Sequence, residues 1–386
     1  MSPQGRDPLA AVRNLAAKAW RRAAAVPKRG VRIARRAGRV REQAAAFADE
    51  WRVEREIAAV ARGRGPIIAG PWLSEVGFEV LYWIPFLRWF EDRYRVDRER
   101  VIAVSRGGVA GWYGDLAAQY VEIFDHVTPA EFGRRNRERH QREEAGGQKQ
   151  TTISSFDEEL IAAARSATGT RDAAVCHPSL MYRLFSRFWY GNRALDLVTS
   201  HTRFRTSDDR TIGLPHHRTA APRDLGLPER YLAAKFYTGA ALPGTPEARE
   251  ALRELVRAAA SRMPVVMLDT GMATDEHEDY LFRDIPNVVS LRDHLAPKTN
   301  LAVQTAVIAG AQGFIGTCGS LAWLAPLQGV DTLAVYSEER FLVSHVFFAG
   351  QAYRQAGAAR FDTLDLRAVS ELDLLASAAA VAQGHP

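Results

Sequence analysis

The chain has 386 residues, 47% hydrophobic and 25% charged, which excludes a disordered chain and supplies apolar material for more than one core. Its two cysteines, Cys176 and Cys318, lie too far apart in sequence for a metal motif and are too few for a disulfide framework, and no run reaches the ~20 apolar residues of a membrane-spanning helix. The net charge of +6 is uneven: residues 1–41 hold twelve Lys and Arg against Asp7 alone, a balance of +11, so the remainder carries −5.

Residues 8–26 place Leu9, Val12, Ala16, Ala19, Trp20 and Ala23 on one helical stripe, with Lys18, Arg21 and Arg22 opposite. After Pro27 a second phase gathers Lys28, Arg29, Arg32, Arg35, Arg36 and Arg39 on one face. Such an arm can lie on an anionic membrane surface, each basic residue adding about 1 kcal/mol. A solvated helical tail or a nucleic-acid arm carries the same charge signature. The N-terminus lacks the apolar core of a signal peptide, so a cytoplasmic protein is expected, held at the inner leaflet if the arm binds lipid. Phe47, Trp51 and Ile57 predict one more helix, closing an extension over residues 1–61.

The body opens with a predicted strand over Pro66 to Ala69, broken by Gly70 and Pro71. A loop carrying Trp72, Ser74, Glu75 and Gly77 leads into an apolar helix, with Ser74 and Glu75 as N-cap chemistry. A second strand, Arg100 to Val104, ends in Ser105-Arg-Gly-Gly, and Leu116 to Phe124 reads as helix. Residues 132–150 are polar enough to read as an exposed, mobile insertion. A strand over Asp172 to Cys176 ends in His177-Pro178, followed by an aromatic helix. Residues 207–229 hold three prolines without periodicity and read as a linker.

A second series follows, with strands predicted at Tyr231 to Phe236, Val265 to Leu268, Asn287 to Ser290, Gly313 to Gly316 and Thr332 to Tyr336. Its clearest helices are Pro246 to Ala260, with Thr245 as cap, and Asn300 to Ala311; Val343 to Ala352 and Glu371 to Val381 read as helical tails. Two series of alternating strands and helices predict an α/β protein of two Rossmann-like, doubly wound domains, 62–228 and 229–386, behind the basic extension. Phe314 and Ile315 run into Gly316-Thr-Cys-Gly-Ser, then Leu321, Leu324 and Leu327 at helical spacing. In a strand, turn and helix of this kind Thr317, Gly319 and Ser320 are the residue types that receive an anion at a helix N-terminus, and equally ordinary turn and cap residues.

The segment Asn300 to Val330, together with Gly70 to Trp89, resembles the GT-B class of glycosyltransferases, in particular heptosyltransferases and O-fucosyltransferase-like enzymes. As architecture the resemblance spans residues 65–340. It implies a sugar transfer, as in polysaccharide biosynthesis, from a nucleotide-sugar donor to a glycan or lipid-linked acceptor, with no resident cofactor. Thr317, Gly319 and Ser320 would meet the donor diphosphate, Lys235 would place a cation against it, and Glu338 would reach the ribose. Glu75 would be the base of an inverting transfer, preferred over Glu79 inside the helix. Arg106, His177 and Trp72 would bind substrate. No Asp-x-Asp motif follows a strand, and the acidic loop Asp275 to Asp279 reads as exposed, so metal-independent chemistry is expected and a nucleic-acid role is not. Pyruvyl or sulfo transfer on the same scaffold, and a scaffold that only binds membrane or nucleic acid, are the competing readings.

Overall fold

In a computed structural model of the chain, residues 47–142, 150–190, 195–206, 225–272, 277–338 and 342–368 are described. Contacts divide the chain into two compact units, Met1–Arg55 and Glu56–Pro386. The basic arm, most of the linker and the tail helix expected over Glu371 to Val381 lie outside the described residues. Helix α1, residues 47–62, begins in the first unit; both sheets belong to the second.

The first sheet has the order β3-β2-β1-β4, all parallel: β1 (Ile67–Ala69), β2 (Val101–Ser105), β3 (Gln119–Glu122) and β4 (Ala174–Cys176). β1 and β2 are buried along their whole length, as expected of parallel strands covered on both faces. From β1 the chain enters a helical turn, Val76–Phe78, passes through a π-helical stretch, Glu79–Trp83, and continues as α2 (Ile84–Tyr94).

Two expectations for this half fail. Residues 116–124 form no α-helix: Gln119–Glu122 is the edge strand β3, in register with β2 from Ile102↔Gln119 to Ser105↔Glu122, and a single 3₁₀ turn, Ile123–Asp125, follows it. Its Tyr120 and Val121 suit a pleated edge, and pairing with β2 overrides the local pattern. Nor are residues 132–142 a solvated insertion; they belong to α3 (Pro129–Arg142). Phe132 is fully buried between Phe124 and Phe156, while the polar face pairs internally through Arg134 with Glu131 and Glu138 and externally through Arg135 with Glu159. Glu159 belongs to α4 (Ser155–Thr168), which the Ser154–Asp157 capping box starts and Gly169 ends. Gln150 is buried as well, donating to the Pro71 carbonyl and Asp157 and accepting from Leu73 N–H. The aromatic helix expected after His177 is α5 (Pro178–Tyr190).

The second sheet, also all parallel, has the order β10-β9-β8-β5-β6-β7. β5 (Leu232–Lys235), β6 (Val265–Met267), β7 (Val288–Ser290), β8 (Gly313–Thr317) and β9 (Thr332–Tyr336) fall where the apolar runs place them. α6 (Pro246–Ala260) has the predicted bounds, its first turn held by Thr245 Oγ1 accepting from Ala248 N–H. α7 (Asn300–Ala309) precedes β8, and α8 (Val343–Ala356) is followed by an edge strand absent from the sequence reading, β10 (Phe361–Asp365).

The two sheets meet through close backbone contacts. The Gly107 carbonyl accepts from Leu301 and Ala302 N–H at 3.0 Å each, capping the start of α7 from the loop after β2. Gly108 has φ +78°, and a Cβ there would lie 2.7 Å from the Lys298 carbonyl. On the other side α8 leans on the π-helical stretch: Phe348 stacks on Tyr82 at 5.2 Å, and the Tyr82 hydroxyl meets His345 Nδ1 at 2.5 Å.

Candidate functional site

A cleft open to solvent lies where the carboxyl ends of the two sheets face each other, with a cavity volume of about 100 Å³. That is the edge at which parallel α/β sheets bind ligands. From the first half it is lined by Glu75, Gly77 and Arg106; from the second by Lys235, Tyr237, His277, Asp279 and Ser320. Four of the residues singled out from sequence, Glu75, Arg106, Lys235 and Ser320, are therefore brought together across more than 240 residues of chain.

Glu75 occupies the N-cap position of the Val76 turn in extended conformation, and its side chain makes no cap hydrogen bond. Gly77 follows because a Cβ there would lie 2.7 Å from the Ser320 amide nitrogen. The Arg106 guanidinium is buried at 8% exposure, donating to the Trp72 and Ser74 carbonyls at 3.0 and 2.8 Å and lying over the Phe132 ring. No ion pair to Arg106 is present among the described residues; its guanidinium donates to backbone carbonyls at the wall of the cleft, and its charge acts on the Glu79 carboxyl behind it. A buried cation in that state favours an anionic ligand.

Lys235 is not a loose strand-end lysine. Its Nζ donates to Asp279 Oδ1 at 2.6 Å and to the Leu268 carbonyl at 2.9 Å, while Asp279 Oδ2 accepts from Thr270 N–H. Asp279 was missed because it closes an acidic stretch, Asp275 to Asp279, that reads as solvated; residues 273–276 lie outside the described residues. His277 Nδ1 is 2.6 Å from the Thr238 carbonyl, and its ring sits 4.9 Å from Tyr237.

The glycine-rich turn differs from the expectation. No α-helix follows β8: Ser320–Ala322 and Ala325–Gln328 are short 3₁₀ turns. Pro326 has no N–H to continue an α-helical ladder, and Gly329 ends the stretch at φ +75°. The helix-dipole argument for an anion therefore does not apply to Ser320, which lines the cleft at φ +41°. Thr317 is buried and satisfied: Oγ1 accepts from Tyr237 N–H at 3.0 Å and donates to the Tyr237 carbonyl at 3.2 Å. Gly319 has φ +146°, and a Cβ there would meet the Tyr237 hydroxyl at 2.6 Å. Neither lines the cleft; together they fix where Tyr237 and Ser320 stand.

Three further expectations move away from the site. Trp72 is fully buried, stacked with Trp83 at 5.9 Å and Tyr182 at 6.0 Å, so it presents no face to a sugar. His177 is 2% exposed, with Nε2 3.0 Å from Asp157 and Nδ1 accepting from Ser179 N–H, which makes it a structural histidine. Glu338 has its N–H on the Ala241 carbonyl and does not line the cleft.

Behind the cleft lies Glu79, one helical turn beyond Glu75, with its N–H on the Glu75 carbonyl at 3.2 Å. It is fully buried, and Oε1 accepts from the Ser105 and Tyr113 hydroxyls at 2.6 Å each, while Oε2 has no hydrogen-bond partner among the described residues. Burial pushes its pKa up to about 7, against the opposing pull of the Arg106 charge and the two hydroxyls. The sequence offers Glu79 only as the less favoured base, inside the helix; its full burial behind the cleft is a property of packing.

The solved structures whose folds match this one include the E. coli ADP-heptose lps heptosyltransferase II (10% identity over 70% of this chain and 84% of that one, TM-score 0.38). They also include a glycosyl transferase family 9 protein from Veillonella parvula (11%, 81% and 89%, 0.42) and the E. coli heptosyltransferase WaaC with ADP (13%, 79% and 97%, 0.38). These matches fall on the class that the sequence resembles. At such identities and TM-scores they carry no argument about reaction or substrate. No family model matches the sequence, and no curated protein matches it.

Proposed function

We propose that the protein is a glycosyltransferase that moves a sugar from a nucleotide-sugar donor to a hydroxyl of a glycan or lipid-linked acceptor. The observation that carries this reading is the single cleft that joins a carboxylate and a buried arginine of one parallel sheet to a lysine and a backbone turn of the other. Residues 229–386 would hold the donor, with Lys235 and the Ser320 turn at its diphosphate. Residues 62–228 would present the acceptor to Glu75, which takes the hydroxyl proton as the sugar transfers with inversion. Arg106 and Lys235 would offset the charge that develops on the departing diphosphate, so the proposed step needs no metal. The basic residues 1–41 would hold the enzyme at an anionic membrane surface, where a lipid-linked acceptor is found.

A thermal-shift panel of UDP, GDP, CMP, ADP and their sugars tests the donor site. One base should raise the melting temperature, since a ligand at a hundred times its Kd stabilises by about 2.7 kcal/mol. Lys235→Ala should shrink that rise. No shift with any nucleotide removes the reading.

A further inference from the structure

Arg106 is surrounded by more buried negative charge than it can balance. Glu79 packs behind it, and Glu122 at the end of β3 holds the loop that follows it. Both carboxyls are at most 9% exposed, and each raises the cost of ionising the other. The groups facing Glu79 are Arg106 and Ser105 from the end of β2, Tyr113 from the turn that follows, and Tyr120 and Glu122 from β3. With both carboxylates ionised this buried cluster already carries one net negative charge. An anion arriving beside Arg106 adds to that excess in a low-dielectric setting, where it is costly.

We infer that Glu79 is a positioning residue that takes up a proton from solvent when a diphosphate settles beside Arg106, so that ligand binding and proton uptake are coupled. This rests on the diphosphate-binding reading of the cleft. Glu79 rather than Glu122 accepts the proton because of how their oxygens are used. The two oxygens of Glu122 receive four donors: Gly107 and Phe124 N–H on Oε1, Gly108 N–H and the Tyr120 hydroxyl on Oε2. A proton on either would face a donor already in place. Glu79 Oε2 has no hydrogen-bond partner among the described residues, so it takes the proton while Ser105 and Tyr113 keep their hydrogen bonds to Oε1. Without ligand, the ionised Glu79 balances Arg106; with ligand, the anion replaces it.

The test is isothermal titration of UDP, GDP, ADP and CDP into wild type and Glu79→Gln at pH 7 in buffers of different ionisation enthalpy. The terminal phosphate contributes equally to both proteins, so the difference isolates Glu79. Wild type should take up ~0.5 proton more per ligand than the variant, because a group half-ionised before binding becomes fully protonated. In wild type alone, the matching nucleotide-sugar, whose phosphates hold no proton near neutrality, should show uptake that is absent at pH 5, reaches ~0.5 proton at pH 7 and peaks above pH 7, between the pKa values of Glu79 without and with ligand. This second measurement stands even if the variant does not fold. Binding heat with no proton uptake in wild type, or equal uptake in both proteins, overturns the inference while leaving the donor site intact. No binding heat with any diphosphate overturns the donor site and the inference together.

Discussion

At the scale of single residues, the cleft assigns different tasks to two carboxylates one turn apart. Glu75 lines the cleft, whereas Glu79 lies behind it, fully buried. Replacing Glu75 with Gln keeps its shape and removes its basicity, so kcat should fall 10²- to 10⁴-fold, the usual range for a general base, with nucleotide affinity little changed. A fall of less than tenfold places the base elsewhere. Glu79 makes a prediction about stability. Its folded pKa, about 7, stands above the ordinary value of 4.5, so between those pH values the folded protein binds more protons than the unfolded chain. Its contribution is therefore fully present below pH 4.5 and is lost as pH rises through 7. Glu79→Gln removes that loss: relative to wild type it should gain roughly 3 kcal/mol between pH 4.5 and pH 8, read from urea unfolding at both pH values. A difference independent of pH would show that Glu79 is not a titrating group.

At the scale of elements, the second sheet was legible because its strands are short buried runs and its helices carry ordinary signals, such as Thr245 and Pro246 opening α6. What the sequence hid are elements whose identity depends on a neighbour. β3 is a strand because β2 offers it an edge, and the polar α3 is ordered because Phe132 and Arg135 find partners on other elements. β10 is a partly exposed edge strand, paired among the described residues to β9 alone. The same holds within the site: Glu75, Arg106, Lys235 and Ser320 sit at strand ends, which sequence can locate, but the burial of Trp72 and His177 is a property of packing. The capping of α7 by the Gly107 carbonyl is likewise invisible before the halves are assembled. It makes the Gly107-Gly108 loop sensitive to any side chain. Gly108→Ala combines a left-handed backbone with a collision at the Lys298 carbonyl, and should destabilise by about 2 kcal/mol or more. An unchanged denaturation midpoint would show that this contact between the sheets is loose.

At the scale of the whole molecule, the charge is divided as the proposed work is divided: +11 in residues 1–41 and −5 in the rest. A negatively charged body would be repelled by an anionic leaflet, so attachment, if it occurs, has to come from the arm. Half of the residues that the sequence period assigns to the first apolar stripe of the arm, Ala16, Ala19 and Ala23, are alanine, which buries little area per residue and favours electrostatic attachment. Binding of this kind is strongly screened, because the Debye length shrinks from about 10 Å at 0.1 M salt to about 3 Å at 1 M. Co-sedimentation should therefore show the full chain on vesicles rich in anionic lipid at 0.1 M salt, released at 0.5 M, and absent from zwitterionic vesicles. A variant lacking residues 1–41 should bind neither, yet should keep the nucleotide-induced rise in melting temperature, because every residue of the cleft belongs to the second unit. If the arm-less protein lost the nucleotide response as well, the arm would be part of the site rather than its anchor. If it kept vesicle binding, the attachment would lie on the body, against its own charge.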